Sequence, residues 1–239
     1  MFKTEGPATI PSMSSSNIGP KRPPSRIEFA NLRLAPLTVA HTREMVERVG
    51  ESLSELRKFM HWSHFPQTLD SQFERLIRVQ ADYWCGQDYG LGIFAADTGK
   101  LLGSTGLHRR MLNPHGYEIG YWVATSEAGR GFATTSTQML IALLFEYFSC
   151  ERVQISTNEK NIASQRVIEK CGFIPEATLR NFVMAKPTPE MIQNGWQGAP
   201  RELLYALTPE DRVNLPWYPR LRRGLRIWNF EGQELPTLN

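Results

Sequence analysis

Cysteine is scarce in this 239-residue chain. Cys85, Cys150 and Cys171 are odd in number and lack the paired spacing of metal sites, which argues against a disulfide framework and a cysteine-based metal centre. They fit reduced thiols, and a cytoplasmic location is expected. Long apolar runs are also missing. The longest, Met139 to Phe145, falls far short of the roughly 20 residues a helix needs to cross a bilayer, so no membrane partner is expected. The first 26 residues hold no apolar core followed by a cleavage site, and no secretory leader is expected. Nor does one charge dominate: 27 basic residues against 24 acidic ones leave +3, too balanced to indicate a nucleic-acid binder.

What is present suits one large domain with tails. Residues 1–26 carry five prolines, five serines and few apolar side chains, too few to offset the entropy of ordering them, and read as a flexible arm. Residues 27–210 read as the folded domain. Leu32 and Leu34 flank Arg33 in a short strand ended by Pro36, and apolar residues at three- and four-residue steps predict helices over Thr38–Met60 and Gln72–Trp84. Tyr89–Ala95 and Leu101–Leu107 form a predicted hairpin around Asp97, Thr98 and Gly99, and Tyr117–Ala124 is a further strand. A long helix over Ala133–Phe148, a strand over Arg152–Thr157 and a helix from Ile162 to Lys170 closed by Gly172 follow. Lys186–Pro200 reads as a loop, and Leu203–Leu207 as the last strand. Residues 211–239 mix five arginines with Trp217, Tyr218, Trp228 and Phe230. So many aromatics predict an extension packed on the domain or on a second subunit, with an RNA-contacting tail as the competing reading.

Two segments carry chemistry. In the first, the strand at Tyr117 enters a turn with Gly129 and Gly131 that opens a helix. Unpaired backbone N–H groups at such a start can hold a phosphate, although the same pattern also serves as an ordinary turn and cap. A P-loop is set aside because no Gly-Lys-Ser/Thr ending is present, and a dinucleotide fingerprint because its third glycine is missing. In the second, Asn161 stands where a helix takes its N-cap, and Ser164 follows in the first turn.

In this order, "EIGYWVATSEAGRGFATTS" followed by "NEKNIASQRVIEKCGF" resembles the GNAT superfamily of acyl-CoA-dependent N-acetyltransferases. It is most similar to the Rim-type branch, which includes enzymes acting on the N-termini of ribosomal proteins. "NLRLAPLT", "GLHRR" and "ELLYALT" fit that branch as well. The resemblance implies an α+β fold whose mixed sheet, flanked by helices, splays between two adjacent parallel strands, Tyr117–Ala124 and Arg152–Thr157, with acetyl-CoA lying in the split. It implies that the backbone of Gly129, Arg130, Gly131, Phe132, Ala133 and Thr134 cradles the pyrophosphate. Asn161 and the backbone groups of Trp122 and Val123 would hold pantetheine. Ser126 departs from the Gln or Arg many members place there.

Acyl transfer to an amine needs a group that takes the ammonium proton and an acid for the leaving thiolate. Glu118, sharing a strand face with Gly120 and Trp122, is the candidate base, directly or through water; the other reading is a solvated or ion-paired carboxylate. The resemblance makes Ser164 the candidate acid, against simple helix-start hydrogen bonding. No metal is expected: His61, His64, His108 and His115 lack supporting ligand spacing and take structural or surface roles. His108, Arg109 and Arg110 form a basic cluster, solvated or binding substrate or a CoA phosphate. The expected acceptor is a primary amine, most readily a ribosomal or other protein N-terminus, handled by a monomer or homodimer. A small-molecule amine acetyltransferase and a non-catalytic acyl-CoA-binding module are the rival readings.

Overall fold

The computed structural model describes residues 22–109, 113–182, 187–198 and 200–236. Nine strands form one sheet: β1 (Arg26–Phe29), β2 (Leu32–Pro36), β3 (Asp88–Ala95), β4 (Leu101–His108), β5 (Gly116–Val123), β6 (Arg152–Asn158), β7 (Ile174–Arg180), β8 (Arg201–Leu207) and β9 (Arg226–Trp228). Their order is 7-8-6-5-4-3-2-1-9, and every neighbouring pair is antiparallel except β5 and β6. Helices α1 (Thr42–Leu56), α2 (Leu69–Cys85), α3 (Phe132–Ala142), α4 (Ile162–Cys171), α5 (Pro189–Gln193) and α6 (Tyr218–Gly224) flank it. A parallel pair needs a crossover. Here α3 supplies it, lengthened by a π-type turn over Leu143–Tyr147. This is the mixed, helix-flanked α+β sheet that the resemblance implies.

Strand alternation sets the layers. Tyr117, Ile119, Tyr121 and Val123 of β5 pack with Leu140, Ile141 and Leu144 beyond one face, whereas Trp122 packs with Met45, Val49 and Leu76 of α1 and α2 on the other. Each face therefore has its own core. The turn after β5 is anchored to α1, because the buried Ser52 hydroxyl accepts the Thr125 N–H at 3.0 Å.

Several elements differ from the expected ones. The helix expected over Thr38–Met60 is shorter at both ends: His41 Nδ1 accepts the Thr38 N–H at 3.0 Å and closes a 3-10 turn before α1, and α1 stops at Leu56, before a further 3-10 turn over His61–His64. Strands β1, β7 and β9 are additional, and α5 lies within the expected Lys186–Pro200 loop. Thr188 caps α5, and Pro189 takes a first-turn position where its missing N–H costs nothing. Of the expected arm, residues 1–21 lie outside the described residues. Residues 22–25 are held: Tyr147 donates to the Arg22 carbonyl (2.9 Å), Tyr83 to that of Pro24 (2.5 Å), and Ser25 Oγ to that of Asn229 (2.6 Å).

The residues after 210 continue the sheet, since β9 pairs with β1 in register Ile27 to Ile227. Glu146 in the π-type turn fastens this segment, accepting from Tyr218 Oη at 2.8 Å and pairing with Arg212 and Arg222 at 3.3 Å each. Trp228 is 5% exposed, with the Arg26 guanidinium 3.8 Å and the Arg226 guanidinium 4.8 Å from its ring centroid. Trp228→Ala should cost about 3–5 kcal/mol, lowering the melting temperature by roughly 10 °C in a calorimetric scan. A shift under about 2 °C would mean that β9 does not stabilise the domain.

Candidate active site

Strand β5 is paired with β6 only where Gly116, Tyr117 and Glu118 face Arg152, Val153 and Gln154. Beyond Glu118 the two strands part. On its other side β5 stays in register with β4 through Val123, and the Ala124 N–H donates to the Leu102 carbonyl at 2.8 Å. Hydrogen-bonded pairs alternate along an antiparallel ladder. Trp122 therefore turns its backbone toward Ser104, while the backbone groups of Tyr121 and Val123 point into the split. Of the two positions expected to meet pantetheine, Val123 has the open backbone and Trp122 does not. Trp122 instead gives its indole to the cleft wall, 6.0 Å from the Trp62 ring.

At the end of the split the chain turns through Gly129 and Gly131, with φ of +78° and +83°. These are left-handed conformations that glycine alone adopts readily, and a Cβ at either position would meet open space. Their requirement is therefore conformational and not steric. Gly131 caps α3, whose first helical bond runs from Thr135 to the Gly131 carbonyl (2.9 Å), so the N–H groups of Phe132, Ala133 and Thr134 precede the ladder. These three N–H groups stand at the positions where the resemblance expects a pyrophosphate cradle. Arg130 pairs with the buried Glu127, which also holds Lys100 at 2.5 Å; these cations keep the Glu127 carboxyl below the usual carboxylate range. Ser126 donates to Glu51 at 2.6 Å. Its hydroxyl thus ties the turn to α1.

The split opens into a cleft of about 560 Å³. Asn161 and Ser164 reach it from the start of α4, where Asn161 Oδ1 accepts the Ser164 N–H at 3.1 Å. The Asn161 oxygen is thus the helix cap. Ser164 Oγ lies 3.0 Å from Tyr121 Oη, and burial pushes the Tyr121 phenol above its ordinary value, so it keeps its proton. Tyr121 is a member the sequence reading missed, because strand alternation puts it on the face opposite Glu118. Glu118 is in the cleft, accepting from Gln154 Nε2 (3.0 Å) and Ser156 Oγ (3.4 Å).

Carboxylates outnumber basic groups in this cavity: Asp82, Asp88, Glu118 and Glu202 line it, against Arg75 and His108. Glu202 was also missed. It reaches the site because β8 lies beside β6, with Glu202 opposite Asn158. Burial, with Glu118 adding to it against the Asn158 hydrogen bond, pushes the Glu202 carboxyl up to about 7. Of the expected basic cluster, Arg110 lies outside the described residues, Arg109 donates to the Pro114 carbonyl at 3.1 Å, and His108 enters the cleft. Among the described residues no group of three or more His, Cys, Asp or Glu is placed to hold a metal. Cys171 packs beneath the cradle helix, and burial pushes its thiol up to about 12.

The sheet, its split and the glycine-opened helix are those of an acetyltransferase. The model of the acetyltransferase (GNAT) domain matches residues 31–174, and the chain belongs to that family. It is 26% identical over 145 residues to "Probable N-acetyltransferase YjcK" of Bacillus subtilis (strain 168), covering 60% of this chain and 75% of that one. Among solved structures it resembles RimJ of Mycobacterium smegmatis in complex with CoA-disulfide (TM-score 0.66, 21% identity, 85% of this chain and 91% of that one). It also resembles RimL, a ribosomal L7/L12 alpha-N-protein acetyltransferase in complex with coenzyme A (TM-score 0.67, 17% identity, 77% and 97%). The family assignment makes the chain an N-acetyltransferase, and the two structural likenesses concern the fold.

The raised Glu202 carboxyl predicts that the cleft responds to pH. Deprotonation near pH 7 adds a negative charge beside Glu118, so KM for a cationic amine should fall by roughly threefold to tenfold from about pH 6 to about pH 8. Its folded carboxyl is raised above the ordinary 4.5, so the stability cost grows as pH rises from there to about 7 and stands in full above. Glu202→Gln should therefore flatten the KM profile and raise the melting temperature at about pH 8 by roughly 2–4 °C. An unchanged KM profile in that variant would show that another group sets the dependence.

Proposed function

We propose that this protein moves the acetyl group of acetyl-CoA to a primary amine, most readily the N-terminal amine of a protein or peptide. The carrying observation is the cleft itself: the open β5 edge and the anion cradle at one end, and a carboxylate-lined chamber at the other. CoA bound in the RimL and RimJ structures supports the co-substrate, and the activity of RimL on a ribosomal protein supports a protein acceptor. The pyrophosphate would lie on the N–H groups of residues 132–134, and pantetheine along Val123 and the Asn161 amide.

The acidic chamber then has a direct role. A protonated amine is drawn to it, and Glu118 pairs with the ammonium and takes its proton, directly or through water. The Tyr121–Ser164 pair supplies the proton for the departing thiolate, with Tyr121 as the source and Ser164 as the contact. Three free thiols suit work in the cytosol. No helix among the described residues is long and apolar enough to cross a membrane.

Thiol release from acetyl-CoA, measured against a panel of N-terminal peptides and small amines, tests this reading. Turnover is expected with peptides above small amines, and Glu118→Gln should lower kcat by roughly 10²- to 10⁴-fold while leaving CoA affinity nearly unchanged. Turnover with small amines alone would overturn the protein acceptor. Near-normal kcat in the variant would leave Glu118 a structural carboxylate.

A further inference from the structure

Glu118 already has neighbours on both oxygens, yet a second group in the same cleft has an unused proton-accepting atom. His108 is the last residue of β4 and lies opposite Glu118 across the β4–β5 ladder. Residues in such register project from the same face. The glycines confirm the side on which the ring lies. A Cβ at Gly120, two residues beyond Glu118 on the same face, would come within 3.1 Å of His108 Nε2, and one at Gly106 within 3.2 Å of its Cε1. The Nε2 edge of the imidazole thus lies over two positions without side chains, with Nε2 toward the part of β5 where the strands separate.

The other ring nitrogen is engaged. Nδ1 lies 2.8 Å from both oxygens of Asp88, the residue opposite His108 across the β3–β4 hairpin. A carboxylate at that distance keeps the proton on Nδ1 and leaves the Nε2 lone pair free to accept. With 24% of the His108 side chain and 39% of that of Asp88 exposed, the pair has a path to return a proton to water.

We propose that the Asp88–His108 pair is the proton acceptor on the water-mediated path from Glu118. This inference rests on the proposed acetyl transfer and deepens it. The ammonium gives its first proton to Glu118, which passes it through water to His108 Nε2. The freed amine nitrogen bonds to the thioester carbonyl carbon, and the carbon–sulfur bond breaks as the tetrahedral species collapses. As the amide forms, the nitrogen gives up a second proton, which replaces the one that the Tyr121–Ser164 pair hands to the thiolate. One proton net leaves the imidazolium for solvent, which balances conversion of ammonium and thioester to amide and thiol.

His108→Ala empties the space above Gly106 and Gly120 and so permits chemical rescue. The variant should lose roughly 10²- to 10⁴-fold in kcat with acetyl-CoA KM within about threefold of wild type, and added imidazole should restore at least roughly tenfold of the loss. Asp88→Asn, which cannot hold the tautomer, should lower kcat by roughly tenfold or more with its melting temperature retained. Should His108→Ala fail to melt cooperatively, the Asp88→Asn kinetics decide the matter, and unchanged kcat there overturns the proposal. A folded His108→Ala protein that turns over like wild type, or that imidazole does not revive, also overturns it. The transfer reading is tested separately by the wild-type protein. No thiol release with any amine would remove that reading and this proposal together, whereas normal wild-type turnover with an indifferent His108→Ala variant removes this proposal alone.

Discussion

The parting of β5 from β6 after Glu118 is the constraint on which the remaining structure depends. A sheet that opens in its middle exposes backbone donors and acceptors that would ordinarily be paired, and such groups need partners. The fold confines this opening to one strand edge, that of Tyr121 and Val123, and keeps the opposite edge of β5 locked to β4. The turn that follows is held against α1 by Ser52 and Glu51, while Lys100 and Arg130 neutralise the buried Glu127 at its base. The glycine conformations then deliver the start of α3 to the end of the split. In the proposed reading, the open strand edge and the helix start together meet one ligand with amides at one end and phosphates at the other.

The two faces of the sheet divide the chemistry. The face toward α1 and α2 carries Glu118, His108, Gly120 and Trp122, with an aromatic wall completed by Trp62. The face toward α3 and α4 carries Tyr121, whose phenol is buried and protonated against Ser164. In the proposed reaction, acceptor and leaving group are therefore served from opposite sides of one strand, and the thioester lies where both sides reach it. In that reading the four carboxylates of the cleft favour a cationic acceptor, and the raised Glu202 carboxyl adjusts the preference near neutrality.

Much of this was legible in the sequence where a strong local signal existed. Strands β3 to β6 alternate or run apolar, α4 has both its Asn161 cap and its Gly172 stop, and Gly129 and Gly131 are needed for backbone reasons that travel with the sequence. The missed elements have weak signals with physical causes. Strand β7 is exposed along nearly its whole length and contains Pro175, so nothing alternates; β1 and β9 are only four and three residues long. In the site, the residues missed are those whose partners meet only through sheet register. Asp88 finds His108 across a hairpin twenty positions long, and Glu202 arrives on a strand inserted beside β6. Tyr121 was hidden by the same alternation that made Glu118 visible.

Backbone amide spectra recorded while acetyl-CoA is added to the protein test the central claim most directly. The amides of Phe132, Ala133, Thr134 and Val123 are predicted to shift together and saturate with one affinity, with the Asn161 side-chain amide following them. Saturable binding that leaves these amides unmoved and perturbs another face of the sheet would contradict a ligand held by the open strand edge and the helix start.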